Sequence, residues 1–219
     1  MKYILIFLSI TLMVNFFGCG SQKEEPAARP ENQSVSEQNT AQYQYKKYDI
    51  KSGIVQFECS DPMGTHKEVL YFDDYGTKER LEKYDTKDAI KEIIFSDGKQ
   101  SYSVNNAKKV AYITNKYSSN GTEMRFNKDE WDNENKAKYD YKDLPEMQLA
   151  GKNCQVFSIN SGYGITTFAG WGYITLYHYQ ETSVGIVSRK AVSIEENVKI
   201  PTDKFMVPEG YEIKEAGAF

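Results

Sequence analysis

Apolar positions follow three regimes along the chain. Tyr3 to Phe17 is an almost unbroken apolar run without a charge, behind the short positive start Met1-Lys2. The run is shorter than the ~20 residues a helix needs to cross a bilayer core, and it matches the apolar stretch of a secretory signal. From Gly20 to about Gln42 the chain is rich in Ser, Gln, Asn, Glu, Ala and Pro, with no aromatic and no apolar period. Such a segment buries too little surface to offset its chain entropy, so a flexible tether is expected. From Tyr43 onward, short apolar runs alternate with turn residues. The division is a signal peptide over 1–18, a tether over 19–44 and a single β-rich domain over 45–219.

Within the domain the pattern predicts strands. Tyr45 to Phe57 reads as a long first strand, interrupted at Ser52-Gly53, and Glu68 to Phe72 as a second. The turn cluster Asp73-Asp74-Tyr75-Gly76 leads into Lys78 to Tyr84 and then Ala89 to Phe95. Asp97-Gly98 is a two-residue hairpin signal. Gln100 to Val104 and Lys109 to Thr114 follow on either side of Asn105-Asn106, and Asn120-Gly121 turns into Glu123 to Phe126. Asn127 to Trp131 opens like a helix, with a capping residue and acids in the first turn, and runs to about Lys138 with Trp131 as its anchor to the sheet. Strands are expected again at Glu146 to Leu149, Cys154 to Ile159, Gly172 to Tyr179 and Val184 to Ile194. Ser161-Gly162-Tyr163-Gly164 and Ala169-Gly170-Trp171-Gly172 read as turns or bulges. Pro201 and Pro208 make Val198 to Ile213 an irregular tail that wraps an edge or an end.

Short connections without long helices imply antiparallel pairing. The fold class is mainly β (α+β): a strongly curved antiparallel sheet or incomplete barrel with one or a few short helices. Alternation is imperfect, since Tyr173, Thr175, Tyr177 and Tyr179 share one face while Ile174, Leu176 and His178 share the other. A sheet with one wet face alternates more cleanly. A helix, a curled sheet or a bound apolar ligand must therefore cover the second face. Val55, Phe57, Leu70, Phe72, Ile94 and Leu176 are the candidate lining of a cavity for such a ligand.

Composition moves the picture twice. The 17 tyrosines and 11 phenylalanines favour pleated, half-buried surfaces. A net charge of -4 argues against nucleic acid as a partner and against electrostatic capture by anionic lipid.

Phe16-Phe17-Gly18-Cys19 resembles the lipobox of bacterial lipoproteins. The resemblance implies that the Cys19 thiol is acylated and the chain cut before it; two or more acyl chains make membrane attachment stable. A simple secretory signal or a short membrane anchor is the competing reading. Gln22-Lys23-Glu24-Glu25 resembles a surface-export signal of Bacteroidota lipoproteins, or is a solvated stretch of linker. Together these imply a lipid-anchored protein of the bacterial outer membrane, on its periplasmic face or at the cell surface. Tyr48-Asp49-Ile50-Lys51-Ser52-Gly53-Ile54-Val55, Tyr71-Phe72-Asp73-Asp74-Tyr75-Gly76, Gly151-Lys152-Asn153-Cys154 and the stretch from Asn197 to Tyr211 resemble Bacteroidota envelope proteins distantly related to the LolA and LolB lipoprotein carriers. That resemblance implies an incomplete curved barrel with an apolar cavity for acyl chains. It carries over no functional residue.

Catalytic chemistry is not legible. His66 and His178 are far apart in sequence, with no Cys or carboxylate cluster spaced around either, so no metal site is expected. No phosphate loop or nucleophile elbow appears. No cofactor is expected. Cys59 and Cys154 either form a disulfide in an oxidising compartment or remain as two buried thiols. The expected function is a non-catalytic, membrane-tethered envelope protein. It would bind lipid or another hydrophobic ligand, with a filled-core partner-binding or glycan-binding protein as the alternative.

Overall fold

The computed structural model describes residues 46–115, 124–160, 162 and 164–216. The signal, Cys19 and the tether lie outside the described residues, as does the turn at Asn120-Gly121.

Six strands run in sequence as a meander: β1 (Gly53–Asp61), β2 (Gly64–Asp73), β3 (Lys78–Tyr84), β4 (Ile90–Ser96), β5 (Ser101–Asn105) and β6 (Val110–Asn115). A single α-helix among the described residues, α1 (Asn133–Lys138), precedes a second meander. This comprises β7 (Lys142–Leu149), β8 (Lys152–Asn160), β9 (Ile165–Trp171), β10 (Ile174–Thr182) and β11 (Gly185–Glu196); β12 (Glu212–Glu215) ends the series. The two meanders join because β1 pairs antiparallel with β11. β12 pairs parallel with β6. The result is one curved, open twelve-stranded sheet in the order β12-β6-β5-β4-β3-β2-β1-β11-β10-β9-β8-β7.

Curvature has a local cause. Register shifts interrupt the β1–β11, β9–β10 and β7–β8 ladders. Each adds a residue to one strand and bends it. In β10 the extra residue is Leu176, which is fully buried. Pro145 sits at the β7 bulge, on an edge strand where its missing N–H costs no ladder bond.

The sheet covers its two faces differently. Alternate β1 residues Val55, Phe57 and Cys59 are buried, while Gln56 and Glu58 are exposed. Cross-strand pairing carries the buried face through Leu70 and Phe72 to Leu81 and Ile94. Ile93 and Phe95 therefore point the opposite way, and with Tyr102, Val104 and Ala111 they form a second core. Val207 and Tyr211 of the C-terminal tail pack on it. Arg80 donates to the Lys204 carbonyl at 3.2 Å, and the Lys204 ammonium meets Glu82 at 2.8 Å. Apolar bulk on both faces thus has a partial answer in the tail, which covers the far side of β3 to β6.

Several expectations are corrected. Tyr48 and Ile50 do not belong to a strand; they fold back as bends and bury their side chains. Their burial comes from tertiary packing rather than ladder pairing. The Lys47 and Tyr48 amides both donate to the Tyr75 carbonyl, and the Lys47 ammonium donates to both carboxylate oxygens of the fully buried Glu79, at 2.8 and 2.9 Å. A Cβ at Gly76 would lie 2.6 Å from the Tyr48 ring, so this contact demands glycine there. The helix starts later than expected: Asp132, not Asn127, is its cap, accepting from the Asn135 amide at 2.7 Å. Ala169, Gly170 and Trp171, expected in a turn, end a full strand over Ile165–Trp171, with the turn itself at Gly172-Tyr173, and the tail contributes β12. Cys59 and Cys154 are separate buried thiols. No disulfide joins them because β11, β10 and β9 lie between their strands in the sheet.

Candidate functional site

The connection from β6 to β7, where it is described from Met124 onward, crosses the second meander and leaves open space beneath it. Arg125 makes a single antiparallel bridge to Ile174, and the Phe126 amide donates to the Tyr173 carbonyl at 2.9 Å. Gly170 is required below: a Cβ there would lie 2.2 Å from the Phe126 ring. Register aligns Phe157 of β8, Phe168 of β9 and His178 of β10 in one cross-strand row. Phe157 is the hub, 5.4 Å from Phe126, 5.8 Å from Trp131, 5.1 Å from Tyr141 and 5.3 Å from Phe168 between ring centroids. Such spacings are those of favourable aromatic pairs.

Between this row and the crossing segment lies a cleft of about 440 Å³. Met124, Phe126, Trp131, Tyr139, Phe157, Ile159 and Phe168 supply its apolar wall, and Arg125, Asn127, Glu130 and Asn135 its polar rim. That size and lining fit a small-molecule pocket. Arg125 pairs with Glu130 at 2.6 Å, which leaves the rim close to charge balance. Burial and the Arg189 charge hold the His178 pKa below its ordinary 6.5, so the ring beside Phe168 is neutral at pH 7. Burial and the neighbouring Asp143 push the Tyr141 phenol upward.

A neighbouring cleft of about 380 Å³ is polar, lined by Trp171 and Tyr173 with Asp129, Glu146 and Asn153. Cations already cover its aromatic faces. The Lys152 ammonium lies 4.3 Å from the Trp171 ring and the Arg125 guanidinium 4.0 Å from that of Tyr173.

The expected cavity residues lie elsewhere. Val55, Phe57, Leu70, Phe72 and Leu176 are 0 to 1 % exposed and pack together in the main core, while Ile94 is half-buried on the same face as Leu81. Phe57 carries the Arg189 guanidinium 3.4 Å from its ring centroid. Trp131, expected only as an anchor, is a wall of the cleft. Phe168 was hidden because its strand is bracketed by glycines, although Ile165-Thr166-Thr167-Phe168 has β-branched and aromatic character.

The expectation that no Cys or carboxylate lies near a histidine is corrected. Cys59 and His66 are directly paired across β1 and β2, and a ligating atom from each and one from Glu68 lie within 4.8 Å of one another.

No family model matches the chain, and no curated protein matches it in sequence. Solved structures do match in fold. An uncharacterized conserved protein from Thermus thermophilus aligns with a TM-score of 0.52 at 9 % identity, covering 76 % of this chain and 91 % of that one. MucB aligns with a TM-score of 0.50 at 12 % identity over 75 % of this chain, which spans 60 % of MucB. A LolA superfamily protein from Nitrosomonas europaea aligns over 73 % of this chain and 91 % of that one at 7 % identity, with a TM-score of 0.32, too loose to argue from. At these identities the matches show that the curved-sheet fold is shared with other solved proteins.

Proposed function

We propose that this chain is a non-catalytic protein of the bacterial envelope, tethered through lipid on Cys19, that binds a hydrophobic ligand in the aromatic cleft. The observation that carries the reading is the cleft itself. The sheet closes its main core with aliphatic and aromatic side chains that are almost wholly sealed, yet leaves Phe168, Trp131 and Tyr139 facing open space beside the buried Phe157. Exposed aromatic surface that the fold could have filled is the mark of a binding site. The tether over 19–44 would hold the domain away from the bilayer.

The test uses protein spanning Gly20 to Phe219 with a fluorescent fatty acid. Saturable binding that Phe168→Asp abolishes, with the fold retained by circular dichroism, is expected. No uptake and no co-purifying lipid in native mass spectrometry would end the reading. A second reading has one observation behind it: β7 is an open edge of the sheet, able to take a strand from an envelope partner. In that case in-cell crosslinking from β7 would recover a protein and the fatty acid would not bind.

A further inference from the structure

We propose that Cys59, His66 and Glu68 form a binding site for one divalent transition-metal ion of the zinc type. The site is separate from the aromatic cleft, and neither reading depends on the other.

Register builds the site. Cys59 faces His66 across the β1–β2 ladder, and Glu68 follows two residues later on the same side of β2. One candidate ligand atom from each lies within 4.8 Å of the other two. Zinc bonds of ~2.0–2.3 Å place tetrahedral ligands roughly 3.5 Å apart, so small side-chain rotations close the set. A thiolate, an imidazole and one carboxylate suit zinc-type ions and not calcium or magnesium, which take oxygen donors.

The surroundings orient each donor. Asp61 lies 3.9 Å from His66 Nδ1, which leaves Nε2 on the side of Glu68. A shift of about 1 Å would bring the Asp61 carboxylate within hydrogen-bond reach of Nδ1, the arrangement that fixes the tautomer and ring orientation of a ligating histidine. Arg189 Nε donates to Glu68 Oε2 at 2.6 Å, so that oxygen is held while Oε1 faces the His66 ring. Lys83 lies 3.8 Å from Oε1, and its closer partner is Glu92 at 3.3 Å. Counted together, the ion's two positive charges with those of Arg189 and Lys83 are matched in number by the Cys59 thiolate, Glu68, Asp61 and Glu92. A cleft of about 550 Å³ bordered by Cys59, His66, Thr65 and Ser188 gives the ion a way in and leaves a fourth position for water. The sulfur–metal bond forms as the Cys59 S–H bond gives its proton to solvent.

The full chain in detergent, stripped with chelator, is titrated with zinc and separately with cobalt(II). One zinc per chain retained after desalting is expected, with release of a proton in weak buffer at pH 7. Cobalt should give a thiolate-to-metal charge-transfer band that Cys59→Ser removes and that Cys19→Ser and Cys154→Ser preserve. His66→Gln should weaken binding at least ~10-fold, and Asp61→Asn by about 10-fold. Glu68→Gln also breaks the Arg189 pair, so the cysteine and histidine variants decide the matter. No retained zinc, or a cobalt spectrum that Cys59→Ser leaves unchanged, overturns the proposal.

Discussion

The strands around β1 and the strands around β8 use aromatic and aliphatic side chains to opposite ends. In the first region Val55, Phe57, Leu70 and Phe72 are sealed, and even the charges beneath the surface are saturated, with Lys47 and Tyr48 both on Glu79. In the second, Phe157, Phe168 and Trp131 meet ring to ring along one side and border a cleft on the other. Similar residue types thus yield a filled core where strands stack through matched register. They yield a pocket where a crossing segment, seated by Phe126 on Gly170, bridges the sheet without filling the gap below. Burial in the first region is spent on stability, and incomplete burial in the second is available for recognition.

Substitutions that hit one region and spare the other sharpen this contrast. Phe72→Ala in the sealed region should cost about 3–5 kcal/mol, read from urea unfolding, with fatty-acid affinity per folded molecule unchanged. Loss of affinity would mean that the two regions are one site. Glu79→Gln leaves the buried Lys47 ammonium without its carboxylate, and a cost of about 3 kcal/mol is expected in the same assay. Phe168→Ala removes a half-buried ring, so its stability cost should be only about 1–2 kcal/mol, while probe affinity falls more than for Phe72→Ala. An equal loss in both variants would break the comparison.

The smallest effect is electrostatic. The His178 pKa is lower in the folded protein than its ordinary 6.5, so the unfolded chain takes up that proton at higher pH than the folded one. The contribution is complete above pH 6.5 and is lost as pH falls through that value toward the folded pKa. Unfolding of His178→Phe should therefore show a weaker pH dependence than the parent between pH 7.5 and 5.5; an identical slope would mean that burial and Arg189 do not hold this ring neutral.

What the sequence reveals depends on how local each feature is. β3 is legible at both ends, Lys78 and Tyr84, because turn residues bracket it. The face shared by Val55, Phe57, Leu70 and Phe72 is also legible, since alternation alone sets it. Whether those side chains fill space or enclose it is not, because packing depends on strands more than a hundred residues away. Tyr48 and Ile50 imitate a strand because burial against the core leaves the same alternating trace as pairing. The Cys59–His66 contact needs the register of the hairpin around Pro62-Met63, which only appears once β1 and β2 extend past Phe57 and Glu68. The cleft is hidden for a similar reason: Phe126 and Trp131 come from the crossing segment, and Phe157 and Phe168 from two strands that follow it in the chain.

The β1–β11 seam sets how this protein can assemble. It pairs Gly53 with Glu196, near the two extremes of the described domain, whereas the strands within each meander pair with neighbours in sequence. Ladders between sequence neighbours close quickly, and one between distant segments waits on the entropy of a long loop. Each meander should therefore form early, and their union should limit the folding rate. Until that union, β1 and β11 both present bare edges, the kind of surface on which chains aggregate. A chaperone that shields either edge would speed productive folding without touching the finished structure.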